Sequence, residues 1–238
     1  MNASVSAAGV GVRFLFDREN RVVTPTLARL RRRGPETWGL RDISFQIGPG
    51  EGVALIGASG SGKTTLLRTL ASVLVPDEGR LEVSGRIGSL LSIEAGLLST
   101  LTGRENALLI GVLAGVPLQT MRARLDDVRE LSRLGDNFER PVSSFSQGMR
   151  ARLGFAAAEQ LDPDVLLLDE VHEAFDHEYR EVVERQVAAL LLRGGIVVAA
   201  GHDHPMLARL CDRGLLLEKG QLKASGPREE IVEAYLGR

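Results

Sequence analysis

The sequence predicts an α/β fold, a mainly parallel sheet covered on both faces, with helices interleaved between its strands. Three observations predict it. Short runs such as "VALI" (53–56), "VLLL" (165–168) and "GIVVAA" (195–200) are wholly apolar. Strands buried on both faces read this way, without alternation. Longer amphipathic segments stand between these runs, at the spacing of helices. The chain is also large enough, at 238 residues with 44% hydrophobic and 25% charged content, to bury one substantial core.

The elements follow in order. "ISFQI" (43–47) and "VALI" read as strands, and "GKTTLLRTLASVL" (62–74) as a helix. "RLEVSG" and "RIGSLLSI" add strands up to residue 93. "TGRENALLIGVLAG" predicts a helix, and "LQTMRARLDDVRELSRLG" predicts one continuous helix ending at Gly135. Ser146 is a favourable N-cap for "SQGMRARLGFAAAEQL". "EYREVVERQVAALLL" is an amphipathic helix before the strand "GIVVAA". The chain then reads helix, strand, turn, strand, helix. The helical block from about 102 to 160 lies between two strands of the core, so it is expected to be a subdomain inserted into a single domain, 1–238.

Composition narrows the function. A net charge of −2 and an aromatic content of 4% give no footprint for nucleic acid. One cysteine, Cys211, excludes a disulfide framework and fits a reducing setting. The opening "MNASVSAAGVGVRF" lacks the charged start and apolar run of a secretory leader. No apolar run reaches the ~18 residues that span a bilayer. Any work at a membrane is therefore expected through a partner. Near the start, Thr24-Pro25 opens a predicted helix carrying Arg29, Arg31, Arg32 and Arg33. A solvated helix face and a contact with lipid headgroups are both open readings of that cluster.

The chemistry begins at "GASGSGKTT". Gly57, Ala58, Ser59, Gly60, Ser61, Gly62, Lys63, Thr64 and Thr65 hold the G-x-x-x-x-G-K-T spacing. The run follows a strand and opens a helix, which is the context a phosphate loop requires. Glycines let backbone N–H groups turn toward phosphate oxygens, and the new helix aims its positive end at them. Lys63 adds a full charge at the β/γ-phosphates, and the Thr64 hydroxyl is a Mg²⁺ ligand. A phosphate loop implies a second strand that ends in an acid. "VLLLDE" supplies it: Asp169 would hold the metal, and Glu170 would polarise the attacking water as general base.

A competing reading of the same stretch fails on spacing. "HEAFDH" approaches the zinc-protease pattern H-E-x-x-H, but His172 and His177 stand at i and i+5. On a regular helix that separates them by roughly 140°. The pair "HDH" (His202, Asp203, His204) is no metal site by itself.

"SFSQGMRARLGFAAA" stands before the acid strand and carries Ser146, Gln147 and Gly148 at a helix start. This resembles the signature motif of ABC-type ATPases. The phosphate loop before it, "VLLLDE" after it and "GHD" beyond match the order of the ATP-binding cassette, a P-loop NTPase fold, along nearly the whole chain. That fold carries an N-terminal antiparallel β part beside the parallel core, plus the helical subdomain. "TWGLRDISFQIGPGE", "GRIGSLLS" with "LLSTLTGREN", and "FSQGMRARLGFA" further resemble the ATPase subunits of polysaccharide and teichoic-acid exporters. Some members of that family add a C-terminal glycan-binding domain; this chain, ending at Arg238, is expected to have none.

The resemblance implies ATP and Mg²⁺ as cofactors and a homodimer that sandwiches ATP between one copy's phosphate loop and the other's signature. It implies an integral-membrane permease as partner, at the cytoplasmic face of the membrane, and no nucleic acid. His202 matches the histidine that contacts the γ-phosphate, and Asp176 the aspartate of the loop that links the two sites. Three departures stand out. The usual glutamine after "GSLLS" is missing, with Glu94 nearby; Gly201 replaces a serine; the loop after Glu170 reads "EAFD", with Glu173 and Phe175. Phe14 or Phe16 on the first strand is the candidate for stacking on adenine, against a reading as core packing. Two other classes remain open: a non-transport ABC ATPase acting on nucleic acid or ribosomes, and a P-loop kinase.

Overall fold

The computed structural model describes residues 3–15, 36–91, 96–170 and 174–237. The basic segment with Arg29, Arg31, Arg32 and Arg33, and also Phe16, Glu94, His172 and Glu173, lie outside the described residues.

Two sheets form among the described residues. The first is three-stranded and antiparallel, in the order β2-β1-β4, with β1 at Ser4–Leu15, β2 at Glu36–Ile47 and β4 at Glu78–Ser84. The second has six strands in the order β5-β6-β7-β3-β8-β9. Here β3 is Gly52–Ile56, β5 Ile87–Leu90, β6 Val165–Asp169, β7 Ile196–Ala200, β8 Arg213–Glu218 and β9 Gln221–Pro227. All neighbours in this sheet pair parallel except β9, which runs antiparallel to β8. β3, β6 and β7 are buried at every residue, as unalternated apolar runs predict.

The strand period divides the core. Leu166 and Leu168 of β6 face a cluster with the helices α5 (Gln147–Glu159), α6 (His177–Leu192) and α7 (His204–Leu210). Val165 and Leu167 face the other way, toward β1, β2 and α1 (Lys63–Leu70). A third cluster lies in the block between β5 and β6, which holds α2 (Gly103–Leu113), α3 (Leu118–Ala123) and α4 (Leu125–Ser132). α5 belongs to two clusters: Ala151 and Phe155 pack on the sheet, Leu153, Ala156 and Ala157 on the helical block. α5 is thus a wall shared by the two clusters, with its polar residues Arg150 and Arg152 half-buried. The last helix, α8 (Arg228–Leu236), packs beside β8 through Ile231.

Two helices differ from their predicted spans. α1 stops at Leu70 rather than running to residue 74. Ser72 turns left-handed at φ 60°, and the N–H groups of Val73 and Leu74 both fold back onto the Arg68 carbonyl. Pro76 could not have continued the helix. The predicted helix 118–135 is two helices joined at Arg124, and the second ends at Ser132 with Arg133 left-handed at φ 52°. No breaker residue marks the joint. The Arg124 guanidinium is held outside the helix, 3.0 Å from Asp162 and hydrogen-bonded to the Gln160 carbonyl.

Candidate functional site

Parallel pairing brings the C-terminal ends of β3, β7 and β6 to one edge of the sheet. In register, Leu55 stands beside Ala200, and Ala200 beside Asp169. Ligands of open α/β sheets bind outside such ends. The loop after β3 carries the phosphate motif, the end of β6 carries the acids, and the loop after β7, between them, carries His202.

Backbone geometry shapes the phosphate loop. Gly57 has φ 151°, and a Cβ there would lie 2.2 Å from the Leu217 carbonyl oxygen. Gly62 has φ 111°, with the Gly39 carbonyl oxygen 2.9 Å from the same position. No side chain fits at either residue. The Ser61 N–H donates to the Ala58 carbonyl at 3.1 Å, and the Gly220 N–H donates to the Ser61 carbonyl at 2.9 Å. The turn between β8 and β9 thus braces the loop from below. Ala58, Ser59 and Gly60 are exposed, and Thr64 and Thr65 are half-buried in the first turn of α1. A cavity of about 570 Å³ flanks the loop, walled by Leu216–Lys219, Tyr235 and Leu236.

Lys63 is only 5% exposed. Its Nζ donates to the carbonyls of Gly57 at 2.7 Å and Ala58 at 3.1 Å, so the ammonium lies across the mouth of the loop. Burial lowers its pKa, and the carboxylates of Glu170 and Asp169 pull it back up. Asp169 is 7% exposed. Burial raises its pKa first, while a hydrogen bond from the Thr64 hydroxyl opposes the rise. Its Oδ1 is buried and takes no hydrogen bond among the described residues. A buried, unpartnered carboxylate oxygen next to a threonine hydroxyl suits a hard cation with oxygen ligands.

Glu170 is exposed and left-handed, at φ 56°. For a residue with a Cβ this costs on the order of 1–2 kcal/mol. The strain is held by the sheet: its N–H donates to the Ala200 carbonyl at 2.8 Å. The carboxylate therefore leaves the strand at a fixed angle, with Oε1 3.4 Å from Nε2 of His202. Lys63, Thr64, Asp169, Glu170 and His202 form one cluster of a cation, a hydroxyl, two acids and an imidazole around an exposed anion-binding loop.

The remaining predicted residues lie on neighbouring elements. Ser146 caps α5, accepting from the Met149 N–H at 3.2 Å. Ser146 and Gln147 are exposed, and Gly148 lies against the loop after β6, with the Ala174 carbonyl 3.1 Å from where a Cβ would stand. No hydrogen bond among the described residues joins these three to the phosphate loop of the same chain. Asp176 caps α6, accepting from the Tyr179 N–H at 2.9 Å, and pairs with Arg152 of α5 at 3.1 Å. The Phe14 ring, half-buried, covers Gly39 beside Thr65 and packs on the core cluster of α1. It therefore does the work of core packing, and it also borders the phosphate loop helix.

Sequence reasoning missed the residues that hold these loops. Phe175 is buried and meets Phe155 of α5 edge-on at 6.0 Å, with Tyr179 at 5.0 Å. Asp203 caps α7, accepting from the Met206 N–H at 3.0 Å. That cap was legible, since Asp203 precedes a proline at the helix start. Arg152 and Arg180, whose carboxylate partners Asp176 and Asp203 lie 24 and 23 residues away, carried no local signal.

A strand, a phosphate loop and a helix, with an acid ending the next strand but one, define a nucleotide-binding P-loop fold. Comparison with known proteins is more specific. The family model described as ABC transporter matches residues 40–173. The O-antigen export system ATP-binding protein RfbB of Klebsiella pneumoniae is 34% identical over 203 residues, covering 85% of this chain and 82% of the relative. The teichoic acids export ATP-binding protein TagH of Lactococcus lactis subsp. lactis is 33% identical over 198 residues, 83% of this chain but 42% of the relative. The dimeric ATP-binding cassette MJ0796, solved bound to ADP and Pi, superposes with a TM-score of 0.78 at 21% identity, covering 94% of this chain and 98% of that one. The chain belongs to the ABC transporter family and is an ATPase of the ATP-binding cassette type. The fold class and family expected from the sequence both hold.

Proposed function

We propose that this chain is the ATP-hydrolysing subunit of an exporter that moves a polysaccharide, a teichoic acid or a lipid-linked glycan through a separate membrane permease. The convergence of Lys63, Asp169, Glu170 and His202 at one sheet edge carries the catalytic part of this reading. The cargo class rests on the export systems named for relatives at 33–34% identity.

In this reading two copies pair head to tail, and each phosphate loop, Gly57–Thr65, wraps the phosphates of one ATP. Thr64 and Asp169, whose oxygen donors suit it, would hold Mg²⁺, which would supply positive charge against the phosphates. Glu170 takes the proton of the attacking water, and His202 contacts the γ-phosphate and orients that water. The second copy presents Ser146, Gln147 and Gly148, a helix start whose N–H groups suit an anion. Asp176 lies in the loop between the two sites, and Phe14 borders the adenine. Closure on ATP and reopening after hydrolysis drive the permease at the cytoplasmic face of the membrane.

Among the described residues no helix is long and apolar enough to cross a membrane. Val112, Leu113 and Leu118 do expose apolar side chains at the turn between α2 and α3, which suits a permease contact. The test is to purify the tagged chain from membranes and to profile lipid-linked glycans after its depletion. The expected result is co-purification of a polytopic protein and an accumulated glycan. A chain that never associates with membranes and phosphorylates a small molecule would refute the proposal.

A further inference from the structure

Arg180, in the first turn of α6, reaches two loops at once. Its Nη1 lies 2.8 Å from Oδ2 of Asp203, and its Nε donates to the Phe175 carbonyl at 3.1 Å. Asp203 adjoins His202, and Phe175 lies in the loop that follows Glu170. One planar guanidinium therefore ties together the two loops that carry the acid–histidine pair. Its two contacts leave from different nitrogens of a rigid fork, so they hold a distance and an angle.

Each end of this tie is anchored further. Asp203 uses its other oxygen to cap α7, and the His204 N–H donates to the His202 carbonyl at 3.0 Å, closing the turn on which His202 stands. On the other side the Phe175 ring is fixed by Phe155 and Tyr179, and Asp176 by Arg152. Phe155 and Arg152 belong to α5, whose first turn carries Ser146 and Gly148. A continuous set of contacts thus runs from the signature helix, through the loop after Glu170, to the loop of His202. His202 itself is exposed, and the loop that carries it is the far end of this set.

We infer that Arg180 is a positioning residue for ATP hydrolysis, which sets His202 against Glu170 and transmits movement of the signature helix to that pair. The inference rests on the roles of Glu170 and His202 proposed above. A second ion pair between the same helices supplies the control. Arg209 of α7 lies 3.0 Å from Glu184 of α6 and forms no hydrogen bond or ion pair with the described residues of either loop.

The test is steady-state ATPase kinetics of the full chain bearing R180Q, R180K, D203N, R180Q/D203N or R209Q. Asn at 203 still accepts from the Met206 N–H, so D203N keeps the helix cap and removes the charge pair. R180Q and D203N are each expected to lower kcat about tenfold or more, with KM for ATP within about twofold. R180K should recover part of the loss, the double variant should be no worse than the worse single one, and R209Q should match the parent. Thermal unfolding and binding of a fluorescent ATP analogue establish that each variant is folded; if R180Q does not fold, D203N decides alone. E170Q and H202A are measured alongside. Should these two hydrolyse ATP at the parental rate, the assignment of the catalytic pair fails. Should they be inactive while R180Q and D203N keep parental kcat, or should R209Q lose as much as R180Q, the positioning role is overturned and the catalytic assignment stands.

Discussion

Replacing Glu170 with Gln removes one charge and one proton acceptor and little else. The side chain is exposed, and the strained backbone is held by the N–H bond to Ala200, which Gln retains. Gln also keeps an oxygen for the imidazole 3.4 Å away. The structure therefore confines the effect to the chemical step. Loss of a general base costs about 10²–10⁴ in rate, which corresponds to roughly 2.7–5.5 kcal/mol of transition-state stabilisation. ATP binding should hold or tighten, because a carboxylate is removed from beside the phosphates, Lys63 and Asp169 remain in place, and hydrolysis no longer empties the site. Phosphate release under saturating ATP gives kcat, equilibrium titration gives the affinity, and size-exclusion chromatography with ATP reports the expected dimer. A kcat within about threefold of the parent would refute the assignment of Glu170 as base.

Three further outcomes follow from the contacts. F175A removes a buried ring from between Phe155 and Tyr179 and should cost about 3–5 kcal/mol in denaturant unfolding. T102A removes the half of the capping box in which the Thr102 hydroxyl accepts from the Glu105 N–H at the start of α2, leaves the half in which the Thr102 N–H donates to the Glu105 carboxylate, and should cost roughly 0.5–2 kcal/mol. Glu159 has a buried Oε1 with no hydrogen-bond partner among the described residues, and burial raises its pKa in the folded state. Its contribution to stability is thus full below the unfolded-state value of about 4.3 and is lost as pH rises through the higher folded value. E159Q should melt above the parent at neutral pH, with the gap closing in acid; a constant gap across a pH series of melting curves would contradict this sign.

The functional loops were legible because each is a short local pattern with its own physics. Gly57 and Gly62 announce left-handed backbone, Ser146 announces a helix start, and "VLLLDE" announces a buried strand ending in acid. The loop "EAFD" was different. Phe175 read as a departure from a pattern, and the sequence held no reason for it. In the fold its ring fills the space between α5 and α6, and the loop's aspartate is held by Arg152.

The split of the predicted helix 118–135 was not legible either. Its apolar positions continue through the joint, and the Arg124 that stands there reaches Asp162 and Gln160, more than 30 residues on. By itself the sequence determined the strand-and-helix order, the phosphate loop, the acid strand and the signature helix start. Backbone conformation and local capping decide those within a few residues. Only the tertiary structure decided that β7 lies between β3 and β6, that Glu170 and His202 therefore meet, and that one guanidinium joins their loops. Such contacts pair residues 20 to 40 positions apart, and a long-range contact exists only once the sheet has set which chain ends stand side by side.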